Sequence, residues 1–177
     1  MKDKAIANLI KQEKKRQAET INLIPSENFA SADVLEALGS VLTNKYAEGY
    51  SRNRYYGGNE FVDKLENLTK ERALKLFGLS PAKWGVNVQP YSGSPANLAI
   101  YLALVPIGEK IMGMKLDMGG HLTHGHKVSA TGKLWKQITY GVNKKTELLD
   151  YAELMKIARK EKPKMIVAGF TAYSRVI

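Results

Sequence analysis

Apolar residues at Ala5, Ile6, Leu9 and Ile10, set among charged ones, predict an amphipathic helix over residues 4–18. Ile21 to Ile24 read as a short extended run, because Pro25 forces the residue before it out of the helical region. Ser31 or Asp33 can cap a short helix that runs through Leu38 and stops at Gly39. A longer helix, roughly 60–77, places Phe61, Leu65, Leu68, Ala73, Leu76 and Phe77 on its expected buried side and ends at Gly78. Residues 86–89 are extended, Pro95 suits a first helical turn, and Ala96–Leu104 continue that helix. Strand-like runs follow at Lys110–Met114, Gln137–Tyr140 and Met165–Phe170, with a helix near Tyr151–Lys160 between the last two. Strands alternating with helices predict an α/β layered domain with a mainly parallel sheet.

Residues 44–58 break this pattern. Tyr46, Tyr50, Tyr55 and Tyr56 fall within eleven positions, together with Glu48, Arg52 and Arg54. Gly49, Gly57 and Gly58 argue against any regular element there. An aromatic, charged, glycine-punctuated loop is poor core material and good site material.

Composition narrows the classes. The chain has 177 residues, enough for a sizeable core, and its 44% hydrophobic and 25% charged content is globular rather than disordered. The absence of cysteine removes disulfide scaffolds, thiolate zinc sites and cysteine catalysis. No targeting signal or membrane-length apolar run is evident, so a cytoplasmic location is the expectation. Against 17 acidic residues stand 27 Lys and Arg, a net charge of +10. They are interleaved with acids at both ends, which reads as solvated helix faces more readily than as a nucleic-acid surface. A basic surface still attracts anionic cofactors and substrates.

Three segments can carry chemistry. Ser92-Gly93-Ser94 enters a helix, where unpaired amides, two hydroxyls and close backbone approach suit a phosphate; an ordinary serine cap is the plain alternative. His121, His124 and His126 lie within six residues. They read as a structural pair, as an imidazole plane packed on an aromatic cofactor, or less well as a metal site, since no HExxH pattern accompanies them. Glu48 is a candidate proton donor or acceptor if its tyrosine neighbours desolvate it, or an exposed carboxylate paired with Lys45 or Arg52.

Five separated motifs together resemble serine hydroxymethyltransferase. They are Pro25-Ser26-Glu27-Asn28, Thr43 to Tyr50, Arg54-Tyr55-Tyr56-Gly57-Gly58, Asn87 to Asn97, and Gly119-Gly120-His121-Leu122-Thr123-His124-Gly125. The resemblance covers essentially the whole chain but only the N-terminal portion of that family's subunit. It implies an incomplete fold-type-I large domain, with residues 1–58 as an N-terminal helix and active-site loop and 59–177 as a partial cofactor-binding domain. It also implies pyridoxal 5′-phosphate as cofactor, tetrahydrofolate as co-substrate, serine and glycine as substrates, and a homodimer with shared sites. Ser92, Gly93 and Ser94 match the phosphate cup, His121 the ring-stacking imidazole, and Thr171 a hydroxyl that reaches the cofactor's phenolic oxygen. Glu48 matches the proton-transfer carboxyl. Tyr46, Tyr55 and Tyr56 match tyrosines of the substrate and folate site which, like Ser26, reach the neighbouring subunit. Leu116, Gly120 and Leu122 match folate contacts.

Met118 stands where the family usually has a histidine, and Ser51-Arg52-Asn53 where it has Pro-Gly-Lys. The resemblance also implies a Schiff-base lysine after a Thr-rich stretch and a histidine, and no such run occurs among these lysines. The expectation is therefore an N-terminal part, or half of a split enzyme, inactive without a C-terminal part. The competing expectations are a non-catalytic binding protein that keeps the scaffold, or a related fold-type-I aldolase.

Overall fold

The computed structural model describes all residues 1–177 and divides into two compact units, Met1–Asn28 with Leu98–Ile177, and Phe29–Asn97. The first unit begins with α1 (Lys4–Glu19), whose Asp3 carboxylate accepts the Ala5 and Ile6 amides at 2.9 and 3.1 Å. The second holds α2 (Ala32–Leu38), the strands β1 (Gly49–Tyr50) and β2 (Asn53–Arg54), and α3 (Glu60–Leu76). Of the two possible caps for α2, Ser31 does the work, accepting Val34 N–H.

Helix α4 (Gly93–Leu104) starts in the second unit and ends in the first. The first unit then runs β3 (Lys110–Met114), α5 (Ala130–Leu134), β4 (Lys136–Tyr140), α6 (Tyr151–Glu161) and β5 (Met165–Ile166). Its sheet is parallel in the order β4-β3-β5, with Lys110 opposite Lys136 and Ile111 opposite Met165. The α/β class with a parallel sheet is as expected.

The central strand β3 is buried from Ile111 to Met114, as a parallel strand covered on both faces should be. On one face Ile111 packs with Tyr101, Val105 and Trp135. On the other, Met112, Met114 and Tyr140 pack with Leu154, Ile157 and Ala158 of α6. Trp135 is fixed twice, by an edge-on contact with Tyr101 at 5.7 Å and by donating Nε1–H to Val105 O at 3.1 Å. Lys110 closes the sheet's other end, bonding the Glu161 carboxylate at 2.9 Å and thereby tying β3 to α6. The Tyr101 hydroxyl is buried without a partner, and burial pushes its pKa up. An unsatisfied buried hydroxyl costs about 1 kcal/mol or more, so Tyr101→Phe should stabilise the chain by roughly that amount in denaturant unfolding.

Several expectations change. The run Met165–Phe170 is a strand only at Met165–Ile166; Val167 N–H adds one bond to Met112 O and the chain then turns away. Residues 86–89 form no strand. Residues 44–58 are not devoid of regular structure, since β1 and β2 form a short antiparallel hairpin with Gly49 opposite Arg54. Its turn is made by Arg52 at φ 66°. Helix α3 forms where predicted, but its apolar stripe is exposed: Phe61, Leu76 and Phe77 are 74%, 80% and 74% accessible. The half-buried side of α3 instead carries Asp63, Glu66 and Lys70. The apolar periodicity was real, but a charged hydrogen-bonding face is what this helix turns inward. No helix is long and apolar enough to cross a membrane.

Candidate functional site

In the first unit the candidate residues gather beyond the carboxyl ends of β3 and β5, where ligands bind in open α/β sheets. Gly120 N–H bonds Lys115 O at 3.0 Å, folding the loop after β3 back on itself. Gly120 is buried with no room for a side chain: a Cβ there would lie 2.7 Å from the Met114 carbonyl carbon. The adjacent Gly119, at φ 105°, offers its carbonyl to Thr171 N–H at 2.8 Å and to Ala172 N–H at 3.3 Å. Thr171 is thus joined through the backbone to the segment that carries His121, although fifty positions separate the two residues in sequence. Leu116 and Leu122 lie exposed on the two sides of this loop, at 39% and 42%.

His121 caps the turn Leu122–His124. Its Nδ1 accepts Thr123 N–H at 3.1 Å, while His124 Nδ1 accepts His121 N–H at 3.2 Å. His124 is buried over Gly113 of β3, where a Cβ would lie 2.8 Å from the His124 Cβ. Burial, with the neighbouring His121, holds the His124 imidazole below its usual pKa. The histidine pair is therefore structural in part, and His121 keeps a half-buried ring. No three His, Asp or Glu side chains converge as a metal-binding group. Met118, at the family's usual histidine position, packs on the Met112–Met114–Tyr140 cluster and fills the space over Gly141.

Ser26 lies in an exposed turn of the same unit, closed by Glu27 N–H to Ile24 O at 3.2 Å and by the Asn22 side-chain amide on the Glu27 carboxylate.

In the second unit, Ser92-Gly93-Ser94 opens α4, whose first residue, Gly93, lies less than one turn before the apolar run that starts at Ala96. Ala96 N–H returns to Ser92 O at 3.2 Å, which leaves the Gly93 and Ser94 amides as the orphan donors of the first turn. All three residues are exposed, and a Cβ at Gly93 would meet nothing within 4 Å. Two hydroxyls, two amides and the positive end of a 12-residue helix form a donor set that fits a phosphate group.

The tyrosine loop in this unit is held by Arg54. Its guanidinium, 5% exposed, bonds Asp63 at 2.8 Å and Glu66 at 2.7 Å, and the carbonyls of Ala47 and Gly49 at 2.7 and 2.9 Å. Lys70 bonds Glu66 at 2.5 Å, and the Gln89 amide reaches Gly49 O at 2.7 Å. This clamp is absent from the candidates drawn from the sequence. The Asp63, Glu66 and Lys70 spacing on one helical face was its available signal. Tyr46 and Tyr56 meet edge-on at 6.0 Å and, with Asn44 and Lys45, line an open pocket of about 340 Å³. Tyr55 is 80% exposed. Glu48 is also exposed and pairs with neither Lys45 nor Arg52, so the expected desolvation by its neighbouring tyrosines is absent.

Hydrogen bonds from the Arg52 amide and Arg54 hold the Asp63 carboxyl below its usual pKa. Burial alone would raise Glu66, but bonds from Lys70, Arg54 and Gln89 outweigh it and hold this carboxyl low as well. Carboxylates with depressed folded pKa values stabilise above the unfolded value of about 4. The clamp should thus be intact near neutrality and be lost as pH falls through the lowered folded values. Amide exchange of the 49–54 hairpin against pH checks this, and an Asp63→Asn chain should show a weaker acid dependence.

The serine hydroxymethyltransferase family model matches residues 1–177. The chain is 57% identical over 175 residues to a serine hydroxymethyltransferase of Acidothermus cellulolyticus, an alignment covering 99% of this chain and 40% of the relative. It is 55% identical to the enzyme of that name from Metamycoplasma arthritidis, over 99% of this chain and 41% of the relative. To the mitochondrial serine hydroxymethyltransferase of Saccharomyces cerevisiae it is 51% identical, over 99% of this chain and 37% of the relative. The chain thus spans about 40% of the length of these curated relatives. With every residue matched and each candidate motif inside the match, the chain belongs to the serine hydroxymethyltransferase family.

Proposed function

We propose that this chain is the N-terminal part of a cytoplasmic, dimeric, pyridoxal-phosphate-dependent hydroxymethyltransferase. The reaction moves the hydroxymethyl carbon of serine reversibly to tetrahydrofolate, giving glycine, 5,10-methylenetetrahydrofolate and water. Residues 1–58 carry the N-terminal helix and the tyrosine–glutamate loop, and 59–177 a partial cofactor-binding domain. The observation that carries this reading is the joining of Thr171 to the Gly119–His121 segment beyond the sheet, inside a family match over the whole chain.

Ser92, Ser94 and the Gly93 amide would hold the cofactor's phosphate through charge-assisted bonds. His121 would hold the cofactor ring, and the Thr171 hydroxyl would bind its phenolic oxygen. When bound, pyridoxal 5′-phosphate supplies an electron sink for bond breaking at the amino acid. Leu116, Gly120 and Leu122 form the folate contact. Tyr46, Tyr55, Tyr56 and Ser26 complete the site of a neighbouring subunit. Glu48 holds or takes the proton at the substrate hydroxyl.

The test joins this chain to the C-terminal part of a relative and follows serine conversion with tetrahydrofolate. Folate-dependent glycine formation is expected. Glu48→Gln should keep cofactor binding and lower turnover by at least about 100-fold, in the range typical of a lost acid–base group. A joined protein that folds and binds cofactor yet makes no glycine would overturn the proposal.

A further inference from the structure

The turn Leu122–His124 is closed by side chains from both of its ends. His121 Nδ1 accepts Thr123 N–H at 3.1 Å and lies 2.8 Å from the Thr123 hydroxyl. A ring nitrogen that accepts a backbone N–H carries no proton of its own, so across the 2.8 Å contact the Thr123 hydroxyl is the partner able to donate. In the neutral ring the proton then sits on Nε2. The same logic applies to His124, whose Nδ1 accepts His121 N–H at 3.2 Å while its own N–H returns to His121 O at 2.9 Å.

These partners are not interchangeable with water. Thr123 and His124 are only 6% and 5% exposed, and His124 is seated over Gly113. Gly125, at φ 96°, ends the turn, so its backbone is fixed on that side too. Burial also favours the uncharged form of His124. A protonated His121 would have two N–H donors and would lose both bonds into Nδ1.

We propose that Thr123, supported by His124, is a positioning residue that holds His121 as the neutral Nε2–H tautomer with its ring plane fixed. The inference rests on the reading of His121 as the neighbour of the cofactor ring. A neutral imidazole can lie against a protonated aromatic ring without like-charge repulsion, and a rigid ring loses little freedom when the cofactor binds.

The test is a long-range proton–nitrogen NMR correlation of the histidine rings in the chain at neutral pH. The wild-type protein should show His121 with Nδ1 unprotonated and Nε2 protonated. Thr123→Val keeps the backbone donor and removes the hydroxyl, which should raise the Nδ1–H to Nε2–H ratio by about fivefold to tenfold, one hydrogen bond's worth. Thr123→Ser should restore the wild-type ratio. In the protein completed with a relative's C-terminal part, affinity for pyridoxal 5′-phosphate should fall in Thr123→Val and recover in Thr123→Ser. A protonated Nδ1 in the wild-type chain overturns the proposal without any variant. A tautomer ratio unmoved by Thr123→Val also overturns it, as does a shifted ratio with unchanged cofactor affinity. If the tautomer lock is present but the completed wild-type protein binds no cofactor, the proposed function fails and the lock stands.

Discussion

A Gly120→Ala chain should lose the ordered loop that follows β3. The new methyl group would fall on the Met114 carbonyl and within 2.9 Å of Lys115 O, both backbone atoms. No rotamer change relieves that contact, because the obstacle is the strand end itself. The Gly120 amide is also committed to Lys115 O at 3.0 Å, so the residue cannot swing out without breaking the loop closure. Overpacking of this kind costs roughly 3 kcal/mol. The same shift would pull Gly119 O away from Thr171 N–H and so separate the proposed cofactor contacts. Denaturant unfolding checks the first effect. Loss of the His121 and Thr171 amide signals from their native positions checks the second. By contrast, Gly93→Ala has open space and should leave stability within about 1 kcal/mol, the intrinsic propensity difference between the two residues, in the direction of a gain.

The second large effect is expected at Arg54. Its removal leaves Asp63 with only the Arg52 amide and Glu66 with Lys70 and the Gln89 amide, frees the Ala47 carbonyl, and leaves Gly49 O with the Gln89 amide alone. Hydrogen bonds to charged groups are each worth more than a factor of ten, so Arg54→Ala should speed amide exchange of the 49–54 hairpin by at least about 100-fold. Arg54→Lys should recover little of this, because a point ammonium cannot span two carboxylates and two carbonyls as the planar fork does. Helix α3 itself should persist in both variants. If the hairpin exchanges as slowly in Arg54→Ala as in the wild type, the clamp does not hold the tyrosine loop.

The sequence made much of this fold legible where one local rule decided the outcome. Residue type narrowed the cap of α2 to Ser31 or Asp33, and the strand at β3 follows from its apolar composition. It failed where a long-range partner decided. The stripe of Phe61, Leu65 and Leu68 has helical periodicity, but periodicity does not say which face meets a partner, and Arg54 recruits the opposite face. The β1–β2 hairpin carries no Asn-Gly signal at its turn; Arg52 takes the left-handed conformation there, its amide bonded to Asp63 at 2.9 Å. The five-residue helix α5 was also missed, being too short for apolar periodicity to register, although Ser129 caps it. Of the candidate site, the helix entry at Ser92–Ser94 was readable from residue types. The approach of Thr171 to Gly119 required the parallel pairing of β3 with β5. Glu48 shows the opposite case: its aromatic neighbours in sequence are themselves exposed, so adjacency did not produce burial.

The central claim is that this chain brings the phosphate-holding and ring-holding elements of a pyridoxal-phosphate site. The most direct measurement is equilibrium binding of pyridoxal 5′-phosphate and of unphosphorylated pyridoxal to this chain joined to a relative's C-terminal part, with and without Ser92→Ala and Ser94→Ala together. The wild-type protein should prefer the phosphorylated form by at least about 100-fold, as two or more charge-assisted hydrogen bonds require, and the double variant should lose most of that preference while its affinity for pyridoxal stays the same. Equal affinity for the two compounds in the wild type, or a preference untouched by the double substitution, would contradict the account.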